Sequence, residues 1–246
     1  NARISRKGIL RLMLDVAIIL SGKIADQEGF NHLVHSATYL VAVDGGLNHL
    51  IDLNLKPDLV LGDFDSVRDD ALVKAEQWQI DIMKFPRQKN FTDSELAIEE
   101  VLSGQRFDFK GTKPVIGLLA VFGSRYDHLL NNQLLAKRFS SQADFILSDG
   151  LALQWILNGP HNLKLNWPCT GSNLTRKYTF SLLAMSEVVK NVNVCNSEYT
   201  LNQHDLKSGY SLGISNLAKN AAYKRTAEVE ISFDAGCLTV IVLPEI

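Results

Sequence analysis

The chain has 246 residues, enough for one large domain or two small ones with a sizeable apolar core. Its 25 basic and 27 acidic side chains give a net charge of -2, which provides no electrostatic footprint for nucleic acid or an anionic membrane. No apolar run reaches the roughly 18 residues of a transmembrane helix. We therefore expect no nucleic-acid or membrane partner, and the three scattered cysteines predict reduced thiols and a cytoplasmic location.

Apolar strands alternate with amphipathic helices through the first 150 residues. The spacing predicts strands over residues 15–20, 39–43, 58–61, 80–85, 113–122 and 144–147. Helices are predicted over residues 26–36, 47–51 and 69–78, from residue 92, and after residue 128, the last with Leu129, Leu130, Leu134 and Leu135 facing inward. Such a series pairs its strands in parallel through right-handed crossovers. This half is predicted to be an open, mostly parallel α/β sheet flanked by helices.

Aspartates follow two neighbouring strands, at the point where each strand ends. Asp44 precedes two glycines after the second strand, whereas Asp63 and Asp65 follow the third. Ligands bind beyond the carboxyl ends of parallel strands, and an extended backbone would place Asp63 and Asp65 on one side, with Cα atoms roughly 6.5 Å apart. Crowded carboxylates repel one another without a cation, so the pattern predicts Mg²⁺ with a phosphate compound. Each aspartate alone suits a turn or helix cap equally well.

A later segment brings another carboxylate to the same predicted edge. Thr92 and Glu95 form a capping box, and Asp93 lies in the first turn of the helix that the box opens. Asp93 follows another strand of the alternating series, so it is either a cap residue or a fourth carboxylate of the site. The residues alone leave both interpretations open.

Cations accompany these carboxylates in the sequence. Arg87 and Lys89 stand just before the capping box, where they either meet phosphate oxygens or belong to a solvated loop. Arg125 follows the strongly apolar fifth strand, and its guanidinium offers several fixed donors that suit phosphate. Asp127 and His128 come next and are either site residues or the ordinary start of a helix.

The periodicity changes near residues 158–160, which marks a domain boundary. Short strands are predicted over residues 163–167, 178–184, 192–195, 229–233 and 238–243, as in a small antiparallel β-sandwich. Asp234, Ala235 and Gly236 are predicted to form the hairpin turn between the last two strands. We expect an α/β catalytic domain over residues 1–158 and a β-sandwich domain over residues 159–246.

Several common nucleotide-binding signatures are missing. The chain contains no G-x-x-x-x-G-K-[ST] loop, and no G-x-G-x-x-G follows a strand. What remains is an acidic, magnesium-type site with interspersed cations, which fits phosphoryl or pyrophosphoryl transfer by positioning and charge neutralisation.

Four motifs in this order resemble the thiamin pyrophosphokinase family, also called thiamine diphosphokinase. They are VDGGLNHL, PDLVLGDFDSV, FTDSELA and GSRYDHLLNN, at residues 43–50, 57–67, 91–97 and 123–132. The resemblance extends over essentially the whole chain and is thinner after residue 159, where SLGISN at residues 211–216 resembles the family's serine-asparagine motif. It implies the two domains above, a homodimer with active sites shared between subunits, and a reaction that converts ATP and thiamine into AMP and thiamine diphosphate.

The resemblance also implies roles for individual residues. The residues implied to organise Mg²⁺ and the ATP phosphates are Asp44, Asp63, Asp65 and Asp93, of which Asp65 or Asp93 would accept the alcohol proton. Arg125 and Asp127 are implied to belong to the nucleotide side, and Gln88 to the family's thiamine-proximal loop. The other predicted ligand-binding residues of this half are Lys89, Thr92 and His128. Those implied to line the thiamine pocket are Tyr199, Ser215 and Asn216, although Tyr199 alone would equally well pack within a sandwich.

The chain also departs from the family pattern. Asn90 replaces a frequent aspartate, and Asn196, Ser197 and Glu198 replace the usual residues before the aromatic position. These departures keep open a non-catalytic thiamine or nucleotide sensor on the same fold. The D-x-D pattern of Asp63 and Asp65 leaves open a second alternative, a transferase that uses it to hold a metal and a nucleotide sugar.

Overall fold

A computed structural model of the chain describes residues 3–4, 10–88, 90–168, 178–219 and 226–244. The chain divides into two compact units, one formed by Leu14–Gly150 and the other by Asn1–Met13 together with Leu151–Ile246. The proposed domain limits of 1–158 and 159–246, and the roles assigned to the two domains, remain predictions. Among the described residues, none of the helices has the length and apolar run needed to cross a bilayer.

The unit Leu14–Gly150 alternates strands and helices, and the short strands β1 (Arg3–Ile4) and β2 (Leu10–Arg11) precede it in the chain. Its six strands are β3 (Leu14–Ile19), β4 (Ala37–Val43), β5 (Leu59–Gly62), β6 (Asp81–Lys84), β7 (Val115–Leu119) and β8 (Asp144–Ser148). Its five helices are α1 (Gln27–His35), α2 (Gly46–Asp52), α3 (Asp69–Gln77), α4 (Asp93–Leu102) and α5 (Tyr126–Phe139).

These six strands pair in parallel in the order β8-β7-β3-β4-β5-β6. The strand order reverses at β3, which has β4 on one side and β7 on the other. With right-handed crossovers, α1, α2 and α3 cover one face of the sheet while α4 and α5 cover the other. The observed contacts of α2 with α3 and of α4 with α5 agree with this arrangement. The sheet is therefore doubly wound, with its topological switch point between β3 and β7.

Strands β3 and β5 are almost entirely buried, as expected for parallel strands covered on both faces. Two helices begin at side-chain caps: the Asp26 carboxylate accepts a hydrogen bond from Gly29 N at 3.0 Å, and Thr92 Oγ1 accepts one from Glu95 N at 3.3 Å. These caps set where α1 and α4 start relative to the strand ends before them.

Helix α5 buries a different face from the one that its leucines predict. Leu135 is 5% exposed and packs inward, but Leu130 and Leu134 are 58% and 50% exposed. The buried stripe of α5 consists of Asn132, Leu135, Ala136 and Phe139. Positions 132, 135, 136 and 139 share one side of a helix, and this stripe includes a polar residue that an apolar pattern does not select. The predicted inward orientation of Leu130 and Leu134 is wrong.

The second unit contains antiparallel strands. They are β9 (Leu153–Asn158), β10 (His161–Pro168), β11 (Tyr178–Ala184), β12 (Val188–Cys195), β13 (Leu201–Lys207), β14 (Asn216–Leu217), β15 (Thr226–Phe233) and β16 (Cys237–Pro244). One set runs β14-β11-β16-β9 and the other β10-β15-β12-β13, with contacts between β11 and β13 and between β12 and β16. Alternate side chains such as Phe180, Ile231 and Val240 are fully buried. The predicted fold class, a mostly parallel α/β sheet with an antiparallel sandwich, is confirmed.

The link between β15 and β16 is not a hairpin turn. Strand β15 pairs with β10 and β12, whereas β16 pairs with β9 and β11, so residues 234–236 carry the chain from one sheet to the other. The link is bonded to β12, because Asp234 N donates to Lys190 O at 3.0 Å and Lys190 N donates to Ala235 O at 2.9 Å. The turn residues were identified correctly, but the pairing predicted from them is wrong.

The burial of adjacent leucines on α5 gives a test of its orientation. Replacing Leu135 by Ala should reduce the free energy of unfolding by about 2–4 kcal/mol, because it leaves a cavity in the core. Leu134→Ala is the matched control and should change it by less than about 1 kcal/mol, since half of that side chain is already in solvent. Urea denaturation of both variants makes the measurement. Equal losses would contradict the orientation of the helix.

Candidate functional site

A cleft of about 470 Å³ opens at the carboxyl ends of β3, β4 and β7, at the switch point of the sheet. Its volume is within the roughly 300–1,000 Å³ typical of small-molecule sites. The lining comes from the segments that follow these strands and from the starts of α4 and α5: Leu20, Ser21, Gly22, Lys23, Val43, Asp44, Thr92, Asp93, Ser94, Ala120, Val121, Gly123, Ser124, Arg125, His128 and Asn132. The cleft thus combines carboxylates, cations and hydroxyls at the place where doubly wound sheets bind ligands.

Asp44 is held in an unusual conformation at the end of β4. Its φ is 45°, and its Oδ1 accepts a hydrogen bond from Phe64 N at 3.1 Å. The carboxylate lies directly against Gly62, where a Cβ would approach Oδ1 to 1.8 Å and where φ is 144°. The glycine at the end of β5 is therefore required to leave space for the Asp44 side chain.

Two further carboxylates act on Asp44. The pKa of Asp44 is raised to about 6, chiefly by burial and also by the negative charges of Asp93 and Asp63, although the hydrogen bond from Phe64 N lowers it. Such coupling requires the three carboxylates to lie near one another. The structure therefore brings Asp44, Asp63 and Asp93 together at one edge of the sheet, as their positions after successive strands predict.

The chain turns immediately after Asp63. Asp63 Oδ1 accepts a hydrogen bond from Asp65 N at 3.1 Å, and Phe64 has a φ of 67°. The extended geometry predicted for Asp63 and Asp65 is therefore wrong, because the side chain of the first aspartate stabilises a turn. Asp65 is exposed and forms an ion pair with Arg87 at 3.1 Å, outside the lining of the cleft.

Asp93 is the first residue of α4 and lines the cleft beside its N-cap, Thr92. Directly behind it, the buried Ser94 hydroxyl donates to Asn132 Oδ1 at 2.8 Å and so joins α4 to α5. Helix α4 also contacts β3, β4 and β5. This packing fixes the start of the helix, and therefore Asp93, at the carboxyl edge of the sheet.

Only some of the charged residues predicted at the start of α5 line the cleft. Arg125 and His128 line it, and both are exposed. The Arg125 guanidinium forms a bidentate pair with Asp127, with hydrogen bonds of 2.9 and 2.7 Å. This pairing keeps the pKa of Asp127 well below its usual range. Asp127 itself is exposed and does not line the cleft.

The loop before α4 contributes less to the cleft than predicted. Gln88 is exposed and absent from the lining, while Lys89 lies outside the described residues. Conversely, Lys23, Ser94 and Asn132 line the cleft although none was selected as a site residue. Lys23 could have been predicted from the sequence, because it follows β3 by four residues and β3 is a central strand of the sheet.

The donor chemistry of the cleft fits a hard divalent cation. In the described ranges, no three or more histidine, cysteine, aspartate or glutamate side chains form a ready-made metal cluster. Mg²⁺ does not need one, because it binds through one or two carboxylates and completes its shell with water and substrate phosphates. The mutual repulsion felt at Asp44 is what such a cation would relieve.

The residues predicted to bind thiamine belong to the second unit, where they form a cluster of their own. Asn216 is 3% exposed, and its amide spans the backbone of Tyr199: Oδ1 accepts from Tyr199 N at 3.1 Å and Nδ2 donates to Tyr199 O at 2.7 Å. Ser197 Oγ donates to the same carbonyl at 2.8 Å. This clamp fixes the backbone of Tyr199 while its side chain stays 71% exposed. Ser215, with φ 58°, is bonded through its N–H to Ser181 Oγ.

Residues 30–147 match the family model described as thiamin pyrophosphokinase, catalytic domain. A curated relative, the thiamine pyrophosphokinase of Bacillus subtilis (strain 168), is 26% identical over 181 residues, which cover 73% of this chain and 78% of the relative.

Solved structures of such proteins share the fold of this chain. The structure of the thiamine pyrophosphokinase from Bacillus subtilis superposes with a TM-score of 0.74 at 21% identity, covering 94% of this chain and 99% of the other. Yeast thiamin pyrophosphokinase gives 0.68 at 13% identity, covering 100% and 92%. The protein from Candida albicans gives 0.67 at 15% identity, covering 93% and 89%.

The raised pKa of Asp44 predicts a pH-dependent effect of Asp44→Asn in metal-free buffer. The folded-state pKa of about 6 exceeds the usual 3.8, so ionisation of Asp44 reduces stability as pH rises from about 4 to about 6. Asparagine keeps the acceptor for Phe64 N but removes the charge. The variant should match wild type near pH 4 and exceed it by about 1–2 kcal/mol above pH 7, after allowing for solvent screening.

Chemical denaturation across this pH range measures the difference. The control is Asp108→Asn, an exposed aspartate between α4 and β7, which should show no such trend. A difference between Asp44→Asn and wild type that stays constant with pH would contradict the burial of this carboxylate among like charges.

Proposed function

We propose that this chain, whose residues 30–147 match the catalytic domain of thiamin pyrophosphokinase, is an enzyme of that family and transfers the pyrophosphoryl group of ATP to the hydroxyl of thiamine. The products are AMP and thiamine diphosphate, and the reaction depends on Mg²⁺. The observation that carries this proposal is the cleft at the switch point, which combines grouped carboxylates with lysine and arginine side chains. That combination suits a metal-bound polyphosphate.

The four aspartates have distinct positions in the proposed site. Asp44 and Asp93 line the cleft and are the carboxylates that would bind Mg²⁺ there. Asp63 and Asp65 lie outside the lining and would add their negative charge to the site, Asp65 after it leaves its ion pair with Arg87. When bound, the metal neutralises charge on the phosphates and orients them for in-line attack. Thr92, at the N-cap of α4, and Arg125, at the start of α5, flank the place where phosphate oxygens would lie.

Transfer requires a proton acceptor for the thiamine hydroxyl, whose oxygen attacks the β-phosphorus as AMP leaves. Asp65 and Asp93 are the two candidates suggested by sequence. Asp93 is favoured as the proton acceptor because it lines the cleft, whereas Asp65 is exposed and paired with Arg87. Asp93 would therefore take the hydroxyl proton at a carboxylate oxygen while α4 holds it in place.

The acceptor side of the reaction is assigned to the second unit. Tyr199 presents an exposed aromatic ring on a backbone fixed by Asn216 and Ser197, as a surface for a planar ligand requires. In this proposal Asn216 positions Tyr199, because both ends of its amide are already bonded to the Tyr199 backbone. Ser215, whose side chain is exposed, and Tyr199 would contact thiamine.

A direct assay separates this activity from the alternatives. AMP is measured from ATP and Mg²⁺ with and without thiamine, while thiamine diphosphate is followed by chromatography. We expect thiamine-dependent AMP with equal amounts of thiamine diphosphate, and a loss of turnover of about 100-fold or more in Asp93→Asn. Asp108→Asn is again the control. Binding of both ligands without AMP would support a sensor, and hydrolysis of a nucleotide sugar alone would support the D-x-D transferase.

We further infer a homodimer whose active sites combine the α/β unit of one subunit with the second unit of its partner. This makes a specific prediction for mixed subunits. Asp93→Asn and Tyr199→Ala are each expected to be inactive, but co-expressed subunits should recover about a quarter of the wild-type activity, because half of the dimers then contain one intact site. Differently tagged subunits allow the mixed dimer to be purified and assayed. A purified mixed dimer without activity would mean that each site is formed within one subunit.

A further inference from the structure

The segment between β3 and α1 is held tightly at the switch point of the sheet. Gly22 N donates to Ala120 O at 2.9 Å and Lys23 N donates to Phe122 O at 3.1 Å, so the segment is bonded to the one that follows β7. On its other side, a ring nitrogen of His49 is hydrogen bonded to Gly22 O at 3.0 Å. A Cβ on Gly22 would lie 2.1 Å from Ala120 O, which explains the glycine. The backbone of Lys23 is therefore fixed beside the cleft.

Lys23 differs from the arginines around the site in its charge environment. Arg125 is already paired with Asp127, and Arg87 with Asp65. Within the part of the chain that the structure describes, Lys23 forms no ion pair, and its exposed side chain lines the cleft. Asp44 and Asp93 line the same cleft, so the site presents a lysine together with two carboxylates. The lysine charge is available to an anionic ligand without breaking a contact within the protein.

We infer that Lys23 is a phosphate-binding residue that offsets the negative charge of the substrate's polyphosphate chain. This inference rests on the proposed function of the cleft. A nucleoside triphosphate carries more negative charge than one divalent cation neutralises, so a second positive group is needed nearby. Lysine suits this role, because its ammonium is a compact charge with three donors that can follow phosphate oxygens.

The test is calorimetric binding of two probes in the presence of Mg²⁺: ATP, and inorganic tripolyphosphate, which lacks the nucleoside. Lys23→Ala should weaken binding of both probes by about tenfold, the size expected for one charge-assisted contact. Lys23→Arg should recover most of the affinity. In steady-state assays KM for ATP should rise in Lys23→Ala while KM for thiamine stays unchanged, because the lost contact is on the phosphate side.

Lys56→Ala is the matched control, since Lys56 is an exposed lysine just before β5 and therefore at the opposite edge of the sheet. It should bind both probes as wild type does. If wild type binds the probes and Lys23→Ala binds them equally well, the role of Lys23 is overturned while the proposed function stands. If wild type binds ATP and tripolyphosphate but does not form thiamine diphosphate, and Lys23→Ala still weakens binding of both probes, the proposed function fails and Lys23 keeps its phosphate-binding role. If wild type binds neither probe, both are overturned.

Discussion

The burial of the Asp44 carboxyl beside the negative charges of Asp93 and Asp63 is the constraint around which the carboxyl edge of the α/β sheet is arranged. Three negative charges at one edge of a sheet do not stay together unless backbone groups hold them. Here Phe64 N–H binds Asp44, a turn fixes Asp63, and the packing of α4 fixes Asp93. The unit thereby gives up stability locally to maintain a site that attracts a cation, a common arrangement at functional sites.

Much of the α/β unit was predictable because its signals are local. Most strands of the parallel sheet are apolar runs, and α1 and α4 begin at recognisable side-chain caps, so both element order and the edge occupied by the aspartates follow from the sequence. The turn at Asp63 was not predictable from alternation, since it depends on Phe64 adopting a positive φ. The buried face of α5 was mispredicted because Asn132 belongs to it, where it accepts a hydrogen bond from Ser94 rather than contributing apolar surface.

The second unit was harder to predict because long-range strand pairing, rather than local sequence, decides its features. Strand β13 has the sequence LNQHDLK, which lacks an apolar alternation because it lies at the edge of its sheet. Strand β14 has only two residues, and it is β14 that contributes Asn216. The link at residues 234–236 has the composition of a hairpin turn. Only the pairing of β15 and β16 with other strands shows that it connects two different sheets. Long-range pairing decides these features, and short-range composition does not report it.

The closed ion pair of Arg125 and Asp127 would affect how phosphates bind and leave in the proposed reaction. An arginine that is already paired with a carboxylate must exchange it for phosphate. The net free energy of phosphate binding is therefore the difference between the two ion pairs. In the proposed reaction, a triphosphate would displace Asp127 from the guanidinium by its higher charge density. A monophosphate has a lower charge density, so Asp127 would form its ion pair with Arg125 again as the monophosphate leaves. In the proposed reaction, the pair would thus act as an intramolecular competitor that favours the release of AMP over its rebinding.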